Sequence, residues 1–340
     1  MLEGRTWYDL GEFTIEGRGF EDLLSPYDRL PLNARKKVSD VIWSLSMDSA
    51  GICARFVSDA SSLSVRWNLR KDRLEMPHMP ATGVSGIDLY VKHEKGWRWV
   101  AVGQPVGVEN EVQLFEKVEP FTREYLLYLP LYNGVESVSL GIPTSTEKIF
   151  PAKKRNGSIV FYGTSITHGA CASRPGTCHV ALLGRWLNRP VINLGFSGNG
   201  KMEPEIGIII ADIKTDLFVI DCLPNMNAKL VMERLPDFCR ILRSKQLHTP
   251  ILLVEDRTYA DAFFCTDRAK VNQSNRAALG RAYSVLKREG LDNVHYLQGN
   301  NLLGIDGEDT VDGSHPTDLG FLRQAKVFFP AIQEILLRQE

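Results

Sequence analysis

The sequence predicts a chain of two domains, a β-sandwich of jelly-roll-like type followed by an α/β domain with a parallel sheet. Three observations carry this. Residues 1–145 show period-2 alternation of apolar and polar side chains; beyond about 158 short apolar strands alternate with helical stretches; and 141–157 between them has no periodicity. The length of 340 residues agrees, since a domain takes ~100–200 residues and each half is long enough to bury its own core. The expected division is 1–145 and 146–340.

In the first half, Leu63, Val65, Trp67 and Leu69 fall on one face and Ser64, Arg66, Asn68 and Arg70 on the other. Ile87–Lys92 repeats the pattern with Ile87, Leu89 and Val91 inward. Further strands are expected at 40–46, 52–58, 98–103, 112–118 and 125–131, with no helix between them, which is the pattern of a sandwich. In the second half strands are expected at Ser158–Tyr162, Pro190–Leu194, Leu217–Cys222, Pro250–Glu255 and Asn293–Gln298. Helices fall near 177–188, 203–213, 227–245, 269–289 and 318–338. Strand and helix in alternation imply a parallel sheet covered on both faces.

Composition narrows the function classes. With 44% hydrophobic and 24% charged residues, the chain is neither disordered nor fibrous. The longest apolar runs, such as Ile206–Ala211, fall far short of the ~18–20 residues of a membrane span. Forty basic against 41 acidic side chains, with no long Lys/Arg block, leave no footprint for nucleic acid. The N-terminus lacks the basic and apolar regions of a signal peptide. Six cysteines (Cys53, Cys171, Cys178, Cys222, Cys239 and Cys265) are too sparse for a disulfide scaffold and favour a cytoplasmic setting, or a periplasmic or secreted one if a leader has been trimmed away. A homo-oligomer stays open.

Ligands of an open α/β sheet gather at the carboxyl ends of its strands. After the first strand stands Gly163-Thr-Ser165-Ile-Thr-His-Gly169, which places a hydroxyl on a Gly-flanked turn entering a helix. A hydroxyl attacks poorly unless a base takes its proton, and a neutral imidazole needs a carboxylate on its other nitrogen. Asp312-Gly-Ser-His315, before the last helix, offers both from one turn. Gly198, after the second strand, and Asn225, after the third, supply a backbone N–H and a side-chain amide that join Ser165 N–H as donors for a developing oxyanion. Each of these residues also has an ordinary role in turns and caps; their order along the chain favours chemistry.

Taken together, Gly163-Thr-Ser165-Ile, Gly198, Asn225 and Asp312-x-x-His315 resemble the SGNH (GDSL-like) hydrolase family, over roughly the last 180 residues. The resemblance implies a flavodoxin-like three-layer fold and a serine ester hydrolase that needs no cofactor and no metal. Ser165 becomes the nucleophile, His315 the base and Asp312 its orienting partner; Ser165 N–H, Gly198 N–H and Asn225 form the oxyanion hole. Two departures stand out: Gly-Thr-Ser replaces the usual Gly-Asp-Ser, and Leu-Pro-Asn-Met replaces Gly-x-Asn-Asp. Gly86-Ile-Asp-Leu-Tyr90 resembles the Gly-x-Asp-Leu-Tyr signature of the β-domain upstream of some SGNH acetylhydrolases. A small-molecule ester, an acetylated sugar foremost, is therefore the expected substrate. Lipase or thioesterase activity, or a carbohydrate-binding protein with a vestigial esterase domain, are the alternatives.

Other readings fit less well. Gly195–Lys201 has P-loop spacing, but Met202 stands where a hydroxyl should bind Mg²⁺. His168, Cys171, Cys178 and His179 do not follow a familiar zinc spacing; His168 is expected to line the mouth of the site and His179 to open the next helix. An α/β-hydrolase would carry Gly where Thr167 stands. Trp97 and Trp99 share one side of a strand, as a sugar platform or, more in keeping with a small sandwich, as core. The loop Glu75–Gly83, with two prolines that cannot join a ladder, is expected to lean over the catalytic mouth and narrow substrate choice.

Overall fold

The structure, a computed structural model, describes residues 4–338. Among these residues the first half supplies β1 (Arg5–Asp9), β2 (Thr14–Glu16), β3 (Cys53–Ser58), β4 (Leu63–Leu69), β5 (Ile87–His93), β6 (Gly96–Gly103), β7 (Glu109–Phe115), β8 (Arg123–Tyr128), β9 (Val135–Pro143) and β10 (Ile149–Pro151). They form two antiparallel sheets, in the orders β1-β9-β4-β7 and β10-β3-β8-β5-β6, with β2 pairing β3. Phe56, Leu63, Val65, Trp67, Ile87, Leu89 and Leu127 fill the space between the sheets.

The second half supplies β11 (Ile159–Gly163), β12 (Val191–Gly195), β13 (Leu217–Asp221), β14 (Ile251–Val254) and β15 (Val294–Leu297). They pair in parallel in the order β12-β11-β13-β14-β15, the flavodoxin-like arrangement with its switch point beside β11. β11, β12 and β13 are buried at every position, because helices cover both faces of the sheet. Side-chain caps start two of the long helices: Asn227 Oδ1 accepts from Leu230 N–H at 2.9 Å before Ala228–Lys245, and Thr317 Oγ1 from Gly320 N–H at 3.3 Å before Asp318–Leu337. No helix among the described residues is long and apolar enough to cross a membrane.

Three expectations are corrected. Residues 40–46 form a helix, Asp40–Ser46, rather than a strand: Ser39 Oγ caps it by accepting from Ile42 N–H, and its apolar Ile42 and Trp43 pack on the parallel sheet of the second half. Trp99 is half exposed rather than core, with its indole N–H donated to Asp88 Oδ1 at 2.9 Å. His168 does not line the mouth; it is fully buried, and its Nε2–H donates to Leu131 O at 2.6 Å. His179 opens the helix His179–Trp186, as expected.

The Gly-x-Asp-Leu-Tyr segment is where the halves lock together. Leu89 points into the sandwich, while Asp88, fully buried on the opposite face, accepts from Arg174 Nη1 and Gly176 N–H at 2.8 Å each. Tyr90 Oη bonds the same Arg174. Apolar side chains from β3, β5 and β8 continue this contact, packing with residues from the far face of the parallel sheet. β3 is thus buried on both faces, and alternation fades along it.

Candidate active site

Ser165 opens the single helical turn Ser165–His168 that follows β11. Thr164 Oγ1 caps it, accepting from Ile166 N–H at 3.3 Å, and Gly169 at φ +111 ends it. Being first in the turn, Ser165 N–H has no intrahelical acceptor. Beneath the turn Thr167 Oγ1 donates to Asp221 Oδ2 at 3.4 Å, and Asp221 is gripped in bidentate fashion by Arg257 at 2.5 and 2.6 Å. Gln324 Oε1 accepts from the same guanidinium. From the first half, Tyr132 Oη donates to Ser165 O at 3.3 Å, and its ring stacks on His168 at 4.0 Å.

The late loop delivers the rest of the relay. Ser165 Oγ and His315 Nε2 are 2.8 Å apart, and His315 Nδ1 lies 2.7 Å from Asp312 Oδ2. Asp312 Oδ1 accepts from Ser314 N–H at 3.0 Å and His315 N–H at 2.8 Å. One carboxylate oxygen thus folds the turn and the other holds the ring. A carboxylate at Nδ1 selects the tautomer that keeps its hydrogen there, which leaves Nε2 bare to accept the serine proton. Partial burial pushes the Asp312 carboxyl up, but hydrogen bonds from the His315 backbone, its imidazole and Ser314 outweigh it and hold the group below its ordinary value.

Gly198 lies exposed on the loop after β12, and its N–H donates to no group among the described residues. Its φ of +69 calls for glycine, because L side chains rarely adopt that conformation, even though a Cβ there would meet nothing within 4 Å. Asn225 closes the short turn Leu223–Asn225 after β13. Its Nδ2 donates to Asn199 O, which ties its loop to that of Gly198 and leaves the second amide hydrogen uncommitted. Gly200 packs so closely that a Cβ would stand 2.0 Å from Gly163 O, so the Gly198 loop sits directly against the end of β11.

Sequence reasoning missed Arg29. This first-half guanidinium, 1% exposed, donates to Asn193 O at 3.1 Å and Gly195 O at 2.8 Å, as well as to Asp48 O and Leu45 O. It thereby satisfies carbonyls at the end of the edge strand that leads into the Gly198 loop. Nothing local around Arg29 signals this, because Asn193 and Gly195 lie more than a hundred residues away.

The loop Glu75–Gly83 reaches the site. Met76 and Met79 exchange two backbone hydrogen bonds of 3.0 Å, and the His78 ring meets the His315 ring edge-on with centroids 5.9 Å apart. Thr82 Oγ1 donates to Ser173 O at 2.6 Å, and a Cβ on Gly83 would stand 2.1 Å from Ala172 O, so the base of this loop is seated on the segment that follows Ser165.

Residues 156–333 match the GDSL-like Lipase/Acylhydrolase family, and 5–148 the Gly-x-Asp-Leu-Tyr N-terminus of SGNH-hydrolase-type esterases. The chain belongs to this SGNH hydrolase family. It is accordingly an SGNH esterase. Among solved structures, a protein from Bacteroides ovatus described as a GDSL-like lipase is similar along 98% of both chains, at 33% identity and a TM-score of 0.93. A salicylyl-acyltransferase from a tetracycline biosynthetic pathway covers 97% of each chain at 17% identity and a TM-score of 0.78. A family two carbohydrate esterase from Cellvibrio japonicus covers 100% of both chains at 13% identity and a TM-score of 0.64. These last two share the fold with the esterase. No curated protein matches its sequence.

Proposed function

We propose that this SGNH esterase removes small acyl groups, acetyl foremost, from a carbohydrate or related small molecule, with Ser165, His315 and Asp312 as its reacting relay. The observation that carries the reading is the unbroken chain from Ser165 Oγ to His315 Nε2 at 2.8 Å and from His315 Nδ1 to Asp312 Oδ2 at 2.7 Å. His315 takes the Ser165 proton as Oγ attacks the acyl carbonyl. The oxyanion is received by Ser165 N–H, Gly198 N–H and the free amide hydrogen of Asn225. His315 then gives its proton to the departing alkoxide, leaving an acyl-serine; water, deprotonated by His315, releases the acid and restores the serine. The carbohydrate part is supported by the fold shared with family two carbohydrate esterases.

The test is an acyl-chain-length series on sugar and alkyl esters. Highest kcat/KM on acetyl esters, with acetylated glycosides among the hydrolysed substrates, is the expected outcome. A preference for long chains would replace it with a lipase, and no hydrolysis of any ester would leave only a binding role.

A further inference from the structure

We infer that the hollow between Glu75–Pro80 and Val311 is the leaving-alcohol subsite of this esterase, shaped for a hydroxylated ring, with His78 as the residue that reads a ring hydroxyl. The inference rests on the proposed reaction, and deepens it by assigning the alcohol side of the ester to the accessory half.

Direction comes first. The proton released to the departing alkoxide comes from His315 Nε2, so the alcohol must leave on the His315 side of the carbonyl while the carbonyl oxygen faces Gly198 and Asn225. The surface on that side is the loop Glu75–Pro80, whose His78 ring meets His315, together with Val311, whose N–H donates to His315 O at 2.9 Å. Residues Glu75–Pro80 and Val311 line a shallow, largely open hollow of about 710 Å³ beside His315, inside the ~300–1,000 Å³ range of small-molecule sites.

The lining decides the chemistry. Met76, Pro77, Met79, Pro80 and Val311 offer apolar wall, and Glu75 and His78 offer a carboxylate and an imidazole. A sugar ring has the matching character, with C–H faces for the apolar wall and hydroxyls for the two polar groups; an alkyl chain would use the wall alone. His78 is exposed, so its hydrogen-bonding positions are open to a ligand. The Met76–Met79 backbone pair and the seating of Thr82 and Gly83 on residues 172–173 hold the loop in place, so little order has to be gained on binding.

The experiment compares kcat/KM for an acetylated methyl glycoside with that for p-nitrophenyl acetate, in wild type, His78→Ala and His78→Gln. His78→Ala is expected to lower the glycoside-to-nitrophenyl ratio at least ten-fold, mainly through KM on the glycoside, and His78→Gln to recover part of it. A ratio within two-fold of wild type overturns the subsite, as does an equal loss on both esters, which would mean that His78 acts only through His315. Should His78→Ala fail to fold, Val311→Phe narrows the hollow from its other wall and must lower the same ratio. The two readings separate cleanly. Wild type that cleaves p-nitrophenyl acetate but not the acetylated glycoside defeats the carbohydrate reading; the subsite then survives only if the free methyl glycoside competes with p-nitrophenyl acetate in wild type and loses that competition in His78→Ala.

Discussion

Ser165 and His315 share a hydrogen bond, yet they are held in different ways. Ser165 is 6% exposed and wired from several sides: Tyr132 from the first half bonds its carbonyl, while Asp221 and Arg257 anchor its turn from below. His315 sits on a loop at the rim, its side chain 27% exposed, and its orientation comes chiefly from Asp312, three residues earlier and 45% exposed. Ser165, the proposed nucleophile, therefore depends on long-range packing, and His315, the proposed base, on one local turn. Substitutions around Ser165 should disturb fold and rate together, whereas those in the Asp312–His315 turn should disturb rate while sparing the fold.

The largest expected effects test the relay itself. Ser165→Ala and His315→Ala should each lower kcat for p-nitrophenyl acetate by roughly 10⁴–10⁶-fold, by similar amounts because the two act as a unit. Much weaker loss in Ser165→Ala would require another nucleophile. Asp312→Asn should lose about one to two orders of magnitude less, with the thermal midpoint hardly moved, since its exposed carboxylate contributes little to stability. A large drop in midpoint would erase the contrast between the two regions.

Next come the donors. Asn225→Ala should lower kcat by ~10²–10³-fold with little change in KM, as loss of an oxyanion donor does. Steady-state kinetics on p-nitrophenyl acetate decide it, and a loss confined to KM would remove Asn225 from the oxyanion hole.

Arg29→Met sharpens the comparison from the buried side. It leaves carbonyls of Asp48, Asn193 and Gly195 without their donor, at ~1–3 kcal/mol for each group left unsatisfied. Chemical denaturation should show a marked loss of stability, with activity falling in parallel. Unchanged stability would mean that the first half is only an appendage to the edge strand.

Smallest near neutral pH is an acid effect. His179 is fully buried, its ring stacked on Phe321 and neither nitrogen hydrogen-bonded, and burial, aided by Arg257, pushes its pKa down to about 3. Unfolded, the same imidazole titrates near ~6.5, so the unfolded chain takes up the proton first. The stability attached to the neutral ring is complete above about pH 6.5 and is lost as pH falls toward 3, by about 1.4 kcal/mol for each unit separating the two pKa values. His179→Phe should flatten this limb of a stability–pH profile; an identical slope would place the acid sensitivity elsewhere.

The candidate relay was legible because each part has a local reason. A hydroxyl on a strand-to-helix turn, a glycine at positive φ and an Asp-x-x-His turn each occupy a few consecutive residues. Strands in the second half were legible too, since burial on both faces leaves continuous apolar runs such as Ile159–Gly163. The helix at Asp40–Ser46 was not, because Val41, Trp43 and Leu45 alternate as a strand would while Ile42 and Trp43 are the pair that the parallel sheet buries. Trp99 misled for a similar reason: its spacing from Trp97 matches a core face, but a buried carboxylate holds its indole at the surface.

The amino-acid sequence by itself determined which short segments could carry chemistry and the order of strands and helices, because turn geometry, capping and side-chain periodicity act over a few residues. Only the tertiary structure decided that Arg29 backs Gly195 and Tyr132 backs Ser165, that Asp88 and Tyr90 clasp Arg174, and that His78 stands beside His315. Those contacts join residues tens to hundreds of positions apart, and local sequence carries no trace of a partner that only chain folding brings within reach.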